Sequence, residues 1–343
     1  MSDGRDRVVR TIAAVALAVI LFDALVFVSG DAPVDAMGRA IAGTWGTPYG
    51  VGQVLYKATA LLFSALAFDV AYRAGLFNIG AEGQIALGSL AAGVVASKLP
   101  AGTPFVVALP IVLVSAALAG AAWASIAGAM RAWLGAHEVI TTIMQNRVAD
   151  ALVPLLLAHG LGATSYRTGD AIAGARLLRA GSVFPALSGS ALSLAFVLAV
   201  AVVFAVDAWQ RRARVGREIG WVGLGEDVAR AEGIPVARRR LLAMALGGGL
   251  AGLAASAGVC GYKGYHELGM TAGTGFAGVA VALLGRGRPA ALLAAALLVG
   301  TLQQAGLVLN ATVPKEAMDV LFGAVILVVA LLSAAPRAGE ARA

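Results

Sequence analysis

The sequence predicts an all-α polytopic membrane protein with about ten transmembrane segments, one of them a broken or half helix. Three observations predict this. Of 343 residues, 59% are hydrophobic and only 13% charged, with a mean hydropathy of +0.85, far from the composition of a soluble domain. Apolar runs of spanning length recur from end to end. Glycine is abundant, 44 residues, as suits helices that approach closely in lipid. The whole chain, 1–343, reads as one transmembrane domain, with no soluble domain or low-complexity tract.

Arg5, Arg7 and Arg10 precede an apolar run, 11–29, which is long enough to span, so the first expected segment, 8–29, reads as a retained helix rather than a cleaved leader. Further spans are expected at 50–72, 76–97, 104–130, 138–158, 188–208 and 239–260. The next run, 272–285, is too short for a regular span and reads as a half-helix or a re-entrant segment. Runs at 289–309 and 317–334 complete the set. Arg73, Arg131, the arginines of 211–217 and 238–240, Arg286 and Arg288 then fall on one side. The positive-inside rule puts that side, and both termini, in the cytoplasm. It also makes the net charge of +7 a membrane feature rather than a sign of nucleic-acid binding. The single cysteine, Cys260, excludes an internal disulfide and reads as a buried small residue.

Two connections are long. Residues 159–187 lie outside; residues 210–238 lie inside and are dense in charge. Within the inner loop, Glu226 and Asp227 suit a helix N-terminus, Val228–Glu232 reads as one short helix, and Gly233 and Pro235 end it. The loop is either a solvated connector or a helix that docks into a cytoplasmic motor. Docking needs small residues to enter a groove (Ala229, Ala231, Gly233) and charges at its rim (Glu226, Asp227, Arg230, Glu232).

Polar residues within spans are the candidates for function. In GLFNIGAEGQ, 75–84, helical spacing puts Asn78 and Glu82 on one face and Gln84 on a glycine strip with Gly80 and Gly88. They either border a translocation path or cap and tie helices. In HEVITTIMQNRVAD, 137–150, Glu138, Thr142, Gln145 and Ala149 share a face, with Thr141 and Asn146 beside it. That stripe lines a pore or bonds helices together. Arg147 points away from it and needs a partner, for which Glu82, Asp69 and Asp150 are available. Thr271 and Thr274 lie at the broken start of 272–285, followed by Phe276, which either stacks on a cargo ring or packs in the core. A polar, glycine-rich break thus occurs near 78–84 and again near 269–275, and paired breaks mark transport sites in many carriers. Gly248, Gly252 and Ser256 give small-residue spacing for helix packing.

Catalytic constellations are missing. The three histidines, His137, His159 and His266, do not form HExxH, and no aspartate-rich prenyl-transferase motif or P-loop occurs. An ion-coupled secondary transporter is the other rival. It would use embedded acids such as Asp23, Asp69, Glu82 and Asp150, but needs no docking helix.

Four stretches in order resemble the permease subunits of bacterial ATP-binding cassette importers of the branched-chain amino acid, ribose and nucleoside group. They are GLFNIGAEGQ at 75–84, EVITTIMQN at 138–146, GEDVARAEGIPVARRR at 225–240 and GFAGVAVALLGRGRPAALLAAALLVGTLQ at 275–303. The likeness is closest to the nucleoside or simple-sugar permeases and covers most of 75–335. His137 and Gln145 depart from the group, which more often has Asn and a more apolar residue there. The resemblance implies a transport subunit, not an enzyme, in a bacterial inner membrane. It implies two permease chains, identical or related, over two ATPase subunits, with a periplasmic or lipid-anchored binding protein delivering cargo. Nucleosides come first as cargo, then a simple sugar, then a branched-chain amino acid. No cofactor binds this chain; ATP and Mg are used by the partner ATPase. The expected path residues are Asn78, Glu82, Gln84, Glu138, Thr142, Gln145, Asn146, Thr271, Thr274 and Phe276. The expected docking residues are Gly225, Glu226, Asp227, Ala229, Arg230, Gly233 and Ile234.

Overall fold

The computed structural model describes residues 20–314 other than 272, together with 318, 320, 323 and 324. Both termini, the start of the first run and most of the run at 317–334 lie outside the described residues. Residues 20–28 are helical. Then follow α1 (Pro33–Thr44), α2 (Pro48–Arg73), α3 (Ala81–Lys98), α4 (Phe105–Leu134), α5 (Glu138–Leu156), α6 (Ala195–Arg212), α7 (Arg214–Leu224), α8 (Glu226–Ala231), α9 (Val236–Gly252), α10 (Thr274–Gly285) and α11 (Pro289–Leu309). Among the described residues there are no strands, only isolated bridges. Four helices are long and apolar enough to cross a membrane: Pro48–Arg73, Phe105–Leu134, Val236–Lys263, in which α9 runs on into a wider turn, and Pro289–Leu309.

The central element is α2. Thr47 accepts from the Gly50 N–H at 3.1 Å and Pro48 occupies the first turn, where a missing N–H costs nothing. Its apolar side chains point all round, as expected of a helix surrounded by others. Leu61, Leu62, Phe63, Leu66 and Phe68 are buried with Val203 of α6, Val281 of α10 and Leu292 and Val299 of α11. The opposite style governs α4 and α9. There Gly120 meets Gly248, and Gly252 meets the Ala116 carbonyl, so closely that a Cβ at any of the three glycines would collide. Lipid supplies no hydrophobic drive between helices, so this contact works by van der Waals approach. The outward side chains of α4, among them Val106, Ile111, Val114 and Leu118, are apolar and exposed.

Several elements differ from the expected pattern: α6 covers Ala195–Arg212 where 188–208 was expected, and α3 starts at Ala81 where 76 was expected. α1 lies in a stretch expected to be loop; it buries Ala36 and Ala40 against Phe22, Val26 and Leu309. The loop 210–238 holds two helices, not one, because α7 carries its own amphipathic pattern and buries Ile219 and Val222. The short helix also begins at Glu226, two residues before the expected start.

Polar contacts gather the basic connections at one end. Arg73 donates to the Gly287 carbonyl at 3.0 Å. Arg131 pairs with Glu138 at 3.3 Å, Arg239 with Glu218 at 2.6 Å and Arg240 with Glu226 at 2.9 Å. Hydrogen bonds from Arg214 and Arg239 hold the Glu218 carboxyl below its ordinary pKa. At the other end residues 159–187 fold over the bundle: Leu177 N donates to Cys260 O at 2.9 Å and Arg176 to Tyr262 O at 3.3 Å. Cys260 is fully buried, as expected.

His266 lies under that cover, 2% exposed. Its backbone is bonded both ways to Thr168, while neither ring nitrogen has a partner among the described residues. Burial lowers its pKa to about 4, opposed by nearby Glu267. An unfolded histidine titrates near 6.5, so between there and pH 4 the unfolded chain binds the extra proton. Stability is therefore expected to fall as pH drops through that window, by about 3 kcal/mol at most. Thermal melting of the purified chain at pH 7.5 and pH 4.5 checks this. An equal drop in wild type and His266→Phe would discard it.

Candidate functional site

After α2 the chain turns at Gly75, where φ is +73°, and residues 76–80 re-enter the bundle without helical structure. Phe77 sets its ring edge on Phe68 at 4.7 Å. Asn78 and Gln84, both fully buried, form a reciprocal amide pair: Asn78 Nδ2 donates to Gln84 Oε1 at 3.1 Å and Gln84 Nε2 to Asn78 Oδ1 at 2.9 Å. Gly80 N also donates to Asn78 Oδ1 at 3.0 Å. This corrects the expected face. A 100° step applies only from Ala81 onward, so Asn78 pairs with Gln84 and not with Glu82.

The polar stripe of α5 does share one face, and that face is buried: Glu138, Thr142, Gln145, Asn146 and Ala149 point inward. Asn146 accepts from Gly83 N at 3.0 Å and donates to Ile79 O at 2.9 Å. It thereby satisfies two backbone groups of the break, as membrane depth requires. Gln145 donates to Trp123 O at 2.9 Å. Glu138 accepts from Phe77 N at 3.4 Å, and Thr142 donates back to Glu138 O at 2.8 Å. At Gly83 a Cβ would crowd Ala149, Trp123 and Asn146 at 3.0–3.2 Å, so glycine lets α5 close on α3.

The outward face of α5 carries Arg147, whose partner is Asp150 at 3.5 Å; their side chains are 77% and 60% exposed. Sequence reading offered this pair as one of three and gave it no role. The spacing i, i+3 on an otherwise apolar outer face was the available signal.

The second break meets the first. Glu82, at the start of α3, accepts from Gly273 N at 2.8 Å and Gly275 N at 2.7 Å, at the start of α10. With 12 residues, α10 is about 18 Å long and runs from this junction to Arg286 at the basic end. It is a half-helix. Ser64 of α2 donates to Gly275 O at 3.1 Å, a contact the sequence did not suggest. Thr271 O accepts from Thr274 N at 3.0 Å; both threonines are half-buried. The Phe276 ring is 51% exposed, beside the junction rather than in the core.

At the basic end, α8 starts with Glu226 and Asp227 and stops at Gly233, whose φ of +73° suits glycine alone. Ile234 N reaches back to Ala229 O at 2.9 Å. Ala229 and Ile234 are buried with Val222 and Val236, so they hold α8 in place instead of facing outward. Asp227, Arg230 and Gly233 are exposed; Gly225 is half-buried. Glu226 holds Arg230 at 2.5 Å and Arg240 at 2.9 Å. The large exposed side chains here are Leu224, 88%, and Val228, 69%, which sequence reading passed over. Beside them Tyr72, Arg73, Phe77, Arg217 and Trp221 line an open groove of about 590 Å³. Among the described residues no three His, Cys, Asp or Glu side chains are placed to hold a metal.

A helical bundle with apolar outer faces, close glycine contacts and four helices long and apolar enough to cross a membrane is that of a multi-pass membrane protein. The sequence profile of the family described as branched-chain amino acid transport system / permease component matches residues 50–330, and the chain belongs to that family. It is similar to the guanosine ABC transporter permease protein NupP of Bacillus subtilis, 32% identical over 89% of this chain and 88% of the relative. It is also similar to the nucleoside ABC transporter permease protein NupB of Lactococcus lactis, 31% identical over 83% and 80%. The glucose ABC transporter permease protein TsgB13 of Haloferax volcanii is 34% identical over 77% and 70%. The chain is therefore the permease subunit of an ATP-binding cassette importer, a transport component and not an enzyme.

Proposed function

We propose that this chain is a single permease domain that imports nucleosides across a bacterial inner membrane, with about ten segments and both termini in the cytoplasm. The observation that carries the reading is the junction of Glu82 with Gly273 and Gly275. It joins the starts of two interrupted helices at a partly open point of the bundle, with Gly273 exposed and Glu82 half-buried, and irregular backbone at membrane depth is tolerated only if buried or lining a cavity. Glu82, Thr271, Thr274 and Phe276 border the path. Asn78, Gln84, Glu138, Thr142, Gln145 and Asn146 frame it by satisfying the broken backbone. A second permease chain, identical or related, covers the face with Arg147 and Asp150, because an exposed ion pair in a spanning helix is costly against lipid. ATPase subunits, which use the ATP and Mg, dock at Gly225–Ile234. A binding protein delivers cargo at the opposite end. The names of two relatives favour nucleosides; the glucose relative keeps a simple sugar as the second reading.

The test is a mild-detergent pull-down of the tagged chain, with mass spectrometry of proteins and small molecules. A stoichiometric P-loop ATPase with a permease or binding protein, carrying a nucleoside, is the expected result. A sugar in its place would move the cargo to the second reading. An ATPase-free homo-oligomer under several gentle conditions would overturn the partner assignment.

A further inference from the structure

We infer that the groove at the basic end is a binding site for a nucleotide, a flat ring that carries a phosphate. The inference rests on the reading that puts this end in the cytoplasm, the compartment that holds the nucleotide pool. The groove, of about 590 Å³, lies between the end of α2 with the turn after it and α7. That volume is in the range of small-molecule sites. Arg73 and Arg217 line it, and among the described residues no acidic side chain does.

Both arginines are held in place without using all their donors. Arg73 donates Nε to Asp69 at 3.2 Å and Nη2 to Gly287 O at 3.0 Å. Arg217 donates Nη1 to the carbonyls of Arg211 and Arg212, at 3.5 and 2.6 Å, and meets no carboxylate among the described residues. Its charge therefore stands unpaired at the groove, with Nε and Nη2 left to donate. A guanidinium fork of this kind matches phosphate oxygens two at a time. Gln210, which also lines the groove, is 6% exposed, and its Nε2 has no acceptor among the described residues. A buried amide left unpaired costs stability, and a phosphate seated here would supply the missing acceptor.

The rest of the lining suits a base. Tyr72 is 54% exposed and Trp221 50%, and aromatic faces stack on any base. A Cβ at Gly220 of α7 would meet nothing within 4 Å, so the wall of the groove is open there rather than packed. A bare phosphate would leave the aromatic faces unused, and a neutral apolar ligand would leave the arginines unused. A nucleotide uses both. Leu224, the last residue of α7, lines the same groove, so an occupant lies beside the start of α8.

The experiment uses the complete transporter, with its ATPase, in inverted and in right-side-out membrane vesicles. The probe is 8-azido-AMP, which does not cross the membrane, and photolabelled peptides are mapped by mass spectrometry. The monophosphate is chosen because it lacks the β- and γ-phosphates that a P-loop motor grips. Inverted vesicles are expected to give label on peptides containing Tyr72 or Trp221, displaced by AMP but not by adenosine or inorganic phosphate at the same concentration. Arg217→Gln, which removes the charge, and Gly220→Leu, which fills the groove, are each expected to cut that label about tenfold or more. If Arg217→Gln does not assemble, Gly220→Leu decides, because its side chain enters open space and leucine favours a helix over glycine. No label on this chain in either orientation, while nucleosides are still imported, overturns the inference alone. Undiminished label in Gly220→Leu does the same. Label only in right-side-out vesicles overturns the orientation and the inference with it. Label that appears only when anionic lipid is replaced by phosphatidylcholine assigns the groove to a lipid phosphate and overturns the nucleotide.

Discussion

Gly278→Ala is expected to reduce transport by more than about tenfold while leaving the chain in the membrane, because the methyl group has nowhere to go. Gly278 sits on α10 against Ser64 of α2. An added Cβ would overlap the Ser64 side chain and lie 2.9 Å from its backbone carbonyl carbon. Backbone cannot rotate out of the way as a flexible side chain can, so α2 and α10 must separate. Overpacking costs about 1–3 kcal/mol, and separation also breaks the bond from Ser64 to Gly275 O. The functional loss follows because Gly275 N is one of the two groups held by Glu82. Moving α10 by a methyl diameter opens the junction of the two breaks. Ser64→Gly in the same chain removes both side-chain atoms that the methyl overlaps but also the donor to Gly275 O, so it is expected to restore part of the melting temperature and a smaller part of the uptake. Wild-type transport by Gly278→Ala alone, or no recovery in the double variant, would show that the α2–α10 contact does not govern transport. The double variant couples two residues in contact, so additivity is not expected.

How much of this was legible in the sequence depended on whether the signal was local. α11 begins and ends where its apolar run does, at 289 and 309, and α2 exceeds its run by two residues at the start and one at the end. Both are continuous runs with Pro at the start, a strong local mark. The stripe on α5 was also legible, because a regular helix of 19 residues preserves the 100° step throughout. Whether that stripe met water or other helices was not, since a polar face reads the same in both cases. Glu82 shows the limit. Its polarity marked it as notable, but its partners are 191 and 193 positions away, and no periodicity encodes such a pairing. Its neighbour Asn78 was misplaced for a different reason. Glycines at 75, 80 and 83 announced a break, yet the face argument assumed helix across it. The same habit hid α7, where the density of arginine drew attention away from the apolar set Ile219 and Val222. Both paired breaks were legible one at a time; their meeting is a tertiary fact.

Leu224→Asp together with Val228→Asp is expected to lower cargo-stimulated ATP hydrolysis by the assembled transporter at least about tenfold, with the chain still folded. The two side chains are 88% and 69% exposed and touch little of their own chain, so charging them costs little in the permease itself. In a docked ATPase groove they would be apolar anchors, and a buried carboxylate there has no partner. Ala229→Leu provides the contrast. Ala229 is 1% exposed and packs with Val222, Ile234 and Val236, so a larger side chain there should disorder α8 and destabilise the permease before any motor is added. Melting temperature and ATPase co-purification separate the two cases. The aspartates should keep the first and lose the second, and the leucine should lose both. If the aspartate pair retains its ATPase and normal uptake, Leu224 and Val228 are not the docking anchors. The rest of the groove that Leu224 shares with Tyr72, Arg217 and Trp221 then becomes the surface to test, because those side chains are left untouched by the aspartate pair and Arg217 gives the groove a charged rim.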